Sequence, residues 1–524
     1  KSDIERSYKG RRSPSRYVIL NSLDPTRSTG LVLGVLFNIF TGNLLISIDD
    51  RLLRQAGGYE NIINRYRADV LLNDQLQLKQ VVINYLENPE TTISKRSKID
   101  FNCIKWCLTS CTTIDTEVTD MIVHKWLKNL GCLDASQCYS PILTLLDFGG
   151  IFISLRDQLG NLDNFPLHDS KLRLQDELFI DKEQLKYNII KPSITAMINS
   201  SSSTKDYLRL TTFGFPIPDS TLCVVNPDDQ TLVPDLTVGE VWISSPSVTD
   251  EFYQMEKINE FVFNAKLNYK KMLDILQYTL ESENTDSEVE SKRLNMIMNL
   301  CSPQTSFVRT KLMGFVHNGK IYILSLIEDM FLQNKLIRLP NWSHTSDITK
   351  TKKQQEGLEK SDSEGEDLSS LRSKRVVQTY YLQHITENVV RTVDKVSEVS
   401  AFELPFNKEE HFLVMIVEST LANSSALSTP SSTDTVALIP SEQERVQAEK
   451  RVTELVEQIY KILWIFHKIQ PMCILVVSPG SLPRRYCSLE IANSTVEKTF
   501  MNGGLNSRFV KFQLDNVILD FVPH

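Results

Sequence analysis

The feature that most restricts the fold of this chain is its longest apolar stretch, Gly30 to Ile48, which reads GLVLGVLFNIFTGNLLISI. An apolar stretch of this length raises the question of a membrane span. Asn38, Thr41, Gly42 and Asn43 interrupt it, and a glycine between polar residues favours a turn. The pattern therefore predicts a buried helix, a turn and a strand, and no transmembrane segment.

The charge balance is mildly acidic, with 57 Lys and Arg against 65 Asp and Glu, a net charge of −8. It provides no general basic surface for nucleic acid. The first residues, KSDIERSYKGRRSPSR, contain no apolar core of a secretory signal. Because they also lack an initiator Met, we expect the chain to be part of a longer polypeptide. The nine cysteines form no CxxC pair, which favours buried reduced thiols and a cytoplasmic location.

Three regions of different character follow a flexible basic lead-in over residues 1–16. Residues 17–212 alternate short apolar runs with helical periodicity, which predicts an α/β layer with a largely parallel sheet. Residues 213–328 contain closely spaced turn residues and short Val, Ile and Trp runs, which indicate a β-rich subdomain. Residues 329–524 mix strands with one long helix over 441–469, which indicates a smaller α+β domain. The fold class is therefore mixed α/β.

Within these regions, periodicity predicts individual elements. Helices are predicted over 60–72 and 116–130, and strands over 43–48, 68–73, 103–110, 410–419 and 472–478. Residues 351–375 and 423–435 have low-complexity compositions with few core residues, so we predict that both are mobile surface loops.

Motifs with a known chemical role are missing from the sequence. It contains no GxxxxGK[ST], GxGxxG, HExxH or GxSxG, and its eight histidines are scattered. The residues alone therefore indicate an α/β protein without indicating an activity.

Four segments resemble motifs of the adenylate-forming enzymes, in the order that these enzymes have them. Gly239 to Val248 (GEVWISSPSV) is similar to GE(I/V)W(V/I)xxPSV, and Phe307 to Ile323 is similar to the RTGDxGF…GxLY region. Cys138 to Pro141 resembles the CYGxAE turn, and Leu482 to Arg485 resembles the LPKTxSGK turn. The resemblance implies an adenylate-forming fold with a small mobile C-terminal domain.

Two further segments resemble a narrower group. ELFIDKEQLKYNIIK (177–191), followed by FGFPIP (213–218), is similar to the fatty acyl-AMP ligases, in which a family-specific insertion lies between such segments. The C-terminal pattern SLPRRYCSLEIANSTVEKTFMNGGLNSRFV resembles the first ligase-like domain of the disco-interacting protein 2 family, which carries two such domains in tandem.

The resemblance also assigns residues to a site. It implies that Asp329 is the hinge and that the nucleotide pocket includes Thr109, Ser110, Cys111, Tyr139, Ser140 and Arg309. The positions of the metal-associated Glu, the ribose-clamping Asp and the C-terminal Lys fall on Leu143, Leu312 and Leu489. A leucine cannot ligate Mg²⁺ or accept a ribose hydroxyl, so we predict no metal site and assign no catalytic residue.

Three functional interpretations remain open. The first is a degenerate ligase-like domain that regulates fatty acid or diacylglycerol metabolism by binding a ligand or by scaffolding. The second is an active fatty acyl-AMP ligase that uses ATP and Mg²⁺ and whose phosphate loop lies upstream. The third is a purely structural domain. We favour the first, with a tandem ligase-like domain and an acyl lipid as partners, in the cytoplasm or at the periphery of organelle membranes.

Overall fold

A computed structural model of the chain shows a mixed α/β fold, as the sequence predicts. It describes residues 16–92, 99–145, 148, 154–155, 177–193, 206–216, 220–274, 300–301, 305–338, 373–405, 411–423, 442–485 and 490–512. The lead-in over 1–15, Leu489 and most of the two low-complexity segments lie outside these residues.

Strands alternate with helices in the first region and cluster in the second. The strands are β1 (Val18–Asn21), β2 (Leu44–Ser47), β3 (Val70–Asp74), β4 (Trp106–Cys111), β5 (Tyr139–Leu143), β6 (Ser154–Leu155), β7 (Glu177–Asp181), β8 (Tyr207–Thr211), β9 (Phe215–Pro216), β10 (Thr221–Asn226), β11 (Thr231–Leu232), β12 (Gly239–Ser244), β13 (Val308–His317), β14 (Lys320–Leu326), β15 (Met330–Arg338), β16 (Ser373–Tyr381), β17 (Val396–Pro405), β18 (His411–Ser419), β19 (Cys473–Val477) and β20 (Ser507–Phe512).

Two helices have a π-helical portion. The helices are α1 (28–41, with π turns at Val32–Leu36), α2 (Asp50–Leu53), α3 (Gly58–Tyr66), α4 (Gln75–Glu87), α5 (116–127, with π turns at Met121–Leu127), α6 (Ala135–Cys138), α7 (Lys182–Leu185), α8 (Glu256–Phe263), α9 (Leu382–Thr392), α10 (Glu442–His467) and α11 (Asn493–Met501). Short 3₁₀ turns lie at Pro89–Thr92, Ile327–Asp329 and Thr420–Asn423.

Three larger sheets organise the fold. The first is fully parallel, in the order β2-β1-β3-β4-β5, and it is covered by helices through a large apolar cluster. The second is antiparallel, in the order β11-β10-β12-β13-β14. The third has the order β17-β18-β19-β20, in which β18 and β19 run parallel. Helices α9 and α10 share an apolar cluster with this third sheet.

A 3₁₀ turn at Ile327–Asp329 separates β14 from β15. β15 pairs with β16 and β7 pairs with β8, and Thr379 N of β16 donates at 2.8 Å to the O of Lys186, which directly follows α7. The limits of the three regions stay predictions. Among the helices that the structure describes, none combines the length and the apolar character that a membrane crossing would require.

The segment from Gly30 to Ile48 forms the predicted helix, turn and strand, but the prediction that the helix is buried is wrong. Gly42 ends α1 with a left-handed backbone (φ 70°) and β2 follows. The side chains of Ile39 and Phe40 are 74% and 91% exposed, because only the opposite face of α1 packs on the parallel sheet.

Two other predicted boundaries differ from the structure. The helix predicted over 60–72 ends at Tyr66, since Arg67 has a left-handed backbone (φ 52°) and β3 begins at Val70. Of the predicted loop residues, only the described ones can be compared: residues 373–375 pair with β15 as part of β16, and Asn423 closes a 3₁₀ turn.

Candidate functional site

The candidate site is a cleft at the carboxyl ends of the central parallel strands. Asp74 is the last residue of β3 and lies opposite Ser110 of β4, while Cys111 lies opposite Leu143 of β5. Ser110 Oγ and Thr144 Oγ1 are 2.7 Å apart just beyond these ends. In open parallel sheets the crevice at this edge is the usual place of a ligand.

Residues from the third region form the opposite wall. Arg485, Glu490 and Asn493 lie near the start of α11, and Glu387 projects from α9. Thr112 Oγ1 donates to Glu490 Oε1 at 2.8 Å and joins the two walls directly. Two neighbouring cavities of about 150 and 350 Å³ lie between the walls.

Carboxyl groups dominate the smaller cavity. Burial, followed by the proximity of Glu490, raises the pKa of Asp74 to about 6, although Asp74 also accepts the first backbone N–H groups of α4. Burial and then Asp115 raise the pKa of Glu387 well above its usual range. The smaller cavity therefore disfavours further negative charge, and its carboxyl groups can hold protons near neutral pH.

The predicted hinge residue lies between the two walls. Asn493 Nδ2 donates to Asp329 Oδ1 at 2.7 Å, and Arg485 Nη2 lies 3.3 Å from Asp329 Oδ2 and 2.8 Å from Glu328 Oε1. Burial raises the pKa of Asp329 to about 6, and the contacts with Asn493 and Arg485 counteract this shift. The 3₁₀ turn is therefore held to α11 by hydrogen bonds and charge.

The predicted nucleotide-pocket residues take different positions. Ser110 and Cys111 line the smaller cavity, and Thr109 is fully buried beneath them. Tyr139 and Ser140 are buried inside β5 and line neither cavity. The structure thus brings the end of β4 to the cleft. From the region of β5 it brings Thr144, which follows the strand, and not Tyr139 or Ser140 at its start.

Arg309 lies in β13 and does not line either cavity, because its side chain is engaged within the second sheet. Its Nη2 and Nε are 2.6 and 3.0 Å from Glu240 Oε2, and Glu240 is only 1% exposed. The guanidinium lies 4.1 Å from the centre of the Phe261 ring, and Trp242 Nε1 donates to the same carboxylate. This arrangement is that of a packed structural ion pair.

Leu143 and Leu312 are 0% and 1% exposed and belong to one apolar cluster between the first and second sheets. Phe148 and Val241 belong to the same cluster. Leu312 also lines the larger cavity, and neither leucine side chain offers an oxygen atom to a ligand. Within the described part of the chain, no group of three His, Cys, Asp or Glu side chains could hold a metal ion.

Sequence reasoning missed Asp74, Glu387 and Glu490. The sequence around Asp74 could have identified it, because an Asp between an apolar run and a helical pattern is typical of a helix N-cap at a strand end. The sequence around Glu387 could not have identified it, since α9 carries none of the motifs described above.

Comparison with known proteins adds relatives and a fold. Residues 348–522 match the family described as meiotically up-regulated gene 62 protein-like domain. The Saccharomyces cerevisiae protein named homeostatic regulator of DAG is 66% identical over 523 residues, which are 97% of this chain and 32% of that protein. An uncharacterised Schizosaccharomyces pombe protein is 27% identical over 99% of this chain and 30% of its own length. The chain thus spans about a third of these relatives.

Solved structures establish the fold class. Fatty acyl-adenylate ligases from E. coli and L. pneumophila align with a TM-score of 0.56 and 12% identity over 95% of this chain and 64% of theirs. A multidomain keto acid-selecting NRPS module with an adenylation domain aligns with a TM-score of 0.59 and 14% identity over 96% of this chain and 31% of its own. The chain therefore has the fold of the adenylate-forming enzymes.

Proposed function

We propose that this chain is a fatty acyl-AMP ligase-like domain that does not adenylate and that regulates fatty acid or diacylglycerol metabolism as a ligand-binding or scaffolding module. It acts within a longer polypeptide in the cytoplasm or at organelle membranes, beside a tandem ligase-like domain as in the disco-interacting protein 2 family. The regulatory part of the proposal is supported by its yeast relative, which is named a homeostatic regulator of DAG.

The observation that carries the proposal is the burial of Leu143 and Leu312 in one apolar cluster. The resemblance places a metal-associated carboxylate and a ribose-binding carboxylate at these two positions. The side chains present do not fit Mg²⁺ and ATP, because neither leucine offers an oxygen ligand. Loss of one group that stabilises transition-state charge costs about 10²–10³ in rate, and here two positions are apolar.

Arg309 supports the same proposal. Its guanidinium is satisfied by Glu240 and by the Phe261 ring, so it is not available for a phosphate without breaking a buried ion pair. The cleft keeps its two cavities, which leaves room for a ligand that needs no catalysis.

Adenylation is tested with the full-length polypeptide, labelled ATP, Mg²⁺ and a panel of fatty acids. We expect no acyl-AMP above the level of a heat-denatured sample. Acyl-AMP formation at the rate of a genuine ligase would overturn the proposal and restore the ATP-dependent enzyme.

A substitution that fills the larger cavity distinguishes a ligand-binding function from a purely structural one. Thr495 lines it from α11, so Thr495→Trp should occupy the space and change cellular diacylglycerol. The matched control is Lys498→Trp on an exposed position of the same helix. Unchanged diacylglycerol in both variants would favour the structural domain.

A further inference from the structure

A third cavity lies outside the cleft, where the β7–β8 hairpin meets the third region. Its volume of about 70 Å³ is sufficient for several water molecules. Its walls come from α7, from the end of β16 with the start of α9, and from the end of α10. The cationic or imidazole side chains that line it are Lys182, Lys186, His384, His467 and Lys468.

Each of the two histidines has one buried ring nitrogen without a hydrogen bond. Nε2 of His384 and Nε2 of His467 have no hydrogen-bond partner among the described residues. Burial, followed by Lys182, lowers the pKa of His384 to about 4 and that of His467 to about 3. Both rings are therefore neutral at pH 7, and each can place an N–H on its Nε2. Two orphaned polar atoms in one cavity are unusual in a native fold.

Positive charge exceeds negative charge around this cavity. Its acidic lining residues are Glu183 and Asp206, and Glu183 is already paired with Lys186 at 2.6 Å. Burial and the neighbouring Arg391 lower the pKa of Lys182 to about 8, while Asp206 counteracts this shift. An anion in the cavity would relieve the repulsion among these cations and would accept from the imidazoles.

We propose that this cavity is a binding site for a phosphate group, with the His384 and His467 imidazoles and the Lys182 ammonium as its donors. A phosphate accepts hydrogen bonds in several directions, which suits donors that converge from three separate elements. Lysine binds phosphate as a point charge, whereas planar carboxylates are recognised best by the fork of an arginine. The site goes beyond the proposed function and does not depend on whether the cleft adenylates.

Histidine NMR with inorganic phosphate tests the site directly. In the full-length protein at constant ionic strength, we expect saturable shifts of the His384 and His467 ring resonances. The exposed His124 should not respond.

Lys182→Met should weaken the response at least about tenfold, because it removes a charged donor. Lys461→Met, at an exposed position of α10, should leave it unchanged. Absence of saturable shifts, or shifts that Lys182→Met does not affect, would overturn the proposal.

A second variant keeps the test valid if Lys182→Met does not fold. His467→Leu removes one orphaned nitrogen at similar volume, so it should raise the melting temperature in phosphate-free buffer and abolish the rise that phosphate causes in the native protein. A variant that keeps the full phosphate-induced rise would contradict the assignment.

Two further probes distinguish the source of the phosphate group. Glycerol 3-phosphate represents a soluble ester, and phosphatidylcholine vesicles with phosphatidic acid represent a lipid head group. Co-flotation with these vesicles that Lys182→Met abolishes identifies a lipid. Competition by glycerol 3-phosphate without co-flotation identifies a soluble phosphate. Binding of none of the probes rejects the site.

Discussion

Asn493 donates a hydrogen bond of 2.7 Å to Asp329 across the turn that separates β14 from β15. The same side chain accepts from Ser400 Oγ at 2.7 Å, so it links the turn, α11 and β17. The turn is thus held by a short side chain that must remain in one orientation to satisfy both partners.

Replacement of this amide should loosen the turn. Asn493→Ala removes the partner of Asp329 Oδ1 and of Ser400 Oγ, and we expect a loss of about 1–3 kcal/mol in the free energy of unfolding. Urea denaturation measures it, and amide exchange at 326–331 should accelerate. Asn129→Ala, which removes an exposed hydrogen bond to Lys125 O, is the control and should change stability little. Equal losses in both variants would contradict the linking role.

Asp74 should make stability depend on pH. Its pKa is 3.8 in the unfolded chain and about 6 in the fold, so the folded protein holds the proton more tightly. Ionisation of Asp74 therefore lowers the free energy of unfolding. This loss is absent at low pH, grows as the pH rises from 3.8 to about 6, and is complete above pH 6.

Asp74→Asn keeps an N-cap acceptor and removes the charge. We expect it to raise the free energy of unfolding by about 1–3 kcal/mol at neutral pH, with a gain that disappears toward pH 4. Asp49→Asn, which keeps the acceptor at an exposed N-cap, is the matched control for the substitution itself. A constant effect of Asp74→Asn at all pH values would show that burial does not perturb this carboxyl.

The ion pair of Arg309 with Glu240 should be essential for the second sheet. Arg309→Met leaves a carboxylate that is 1% exposed without its partner, and we expect a cost of about 3–5 kcal/mol. The double variant Arg309→Met, Glu240→Gln should recover much of it. Arg54→Met breaks an exposed pair with Asp50 and should cost less than about 1 kcal/mol. Thermal or urea unfolding of the wild type, Arg309→Met, Glu240→Gln and the double variant measures the coupling, and additive losses would disprove it.

Gly314 should not tolerate a side chain. A Cβ at this position would lie 2.3 Å from Tyr322 O on the paired strand β14, which is closer than atoms can approach. Gly314→Ala should therefore separate β13 from β14 locally and lower the melting temperature, whereas Gly504→Ala, whose nearest neighbour is a Thr499 methyl group at 3.1 Å, should lower it less. Equal melting temperatures for the two variants would contradict this.

The hydrophobic periodicity of the sequence predicted correctly those strands and helices that are buried in the same way along their whole length. β3, β4 and β19 are buried along their length and read as apolar runs, and α10 follows its helical pattern closely. The exposure of Phe40 could not be predicted, because an apolar residue carries the same local signal whether or not a neighbour covers it. Helix α3 ends before Arg67, earlier than its periodicity indicated. The chain turns there through a left-handed backbone so that β3 can begin at Val70.

The site was predictable only where a motif or a strand end identified it. Ser110 and Cys111 were placed at the cleft by resemblance, and Asp74 could have been found from its position after β3. Glu387 and Glu490 could not, because their proximity to Asp74 and Thr112 depends on how the third region docks, and no local pattern encodes that distance.

The hydrogen bond between Thr112 and Glu490 has a consequence for synthesis of the protein. All five strands of the parallel sheet lie within residues 18–143, so this layer can assemble while the rest of the chain is still being translated. One wall of the cleft consists of residues that leave the ribosome hundreds of codons later. We therefore expect the nascent chain to expose the carboxyl ends of β3 and β4 to chaperones until residues 485–493 have been translated.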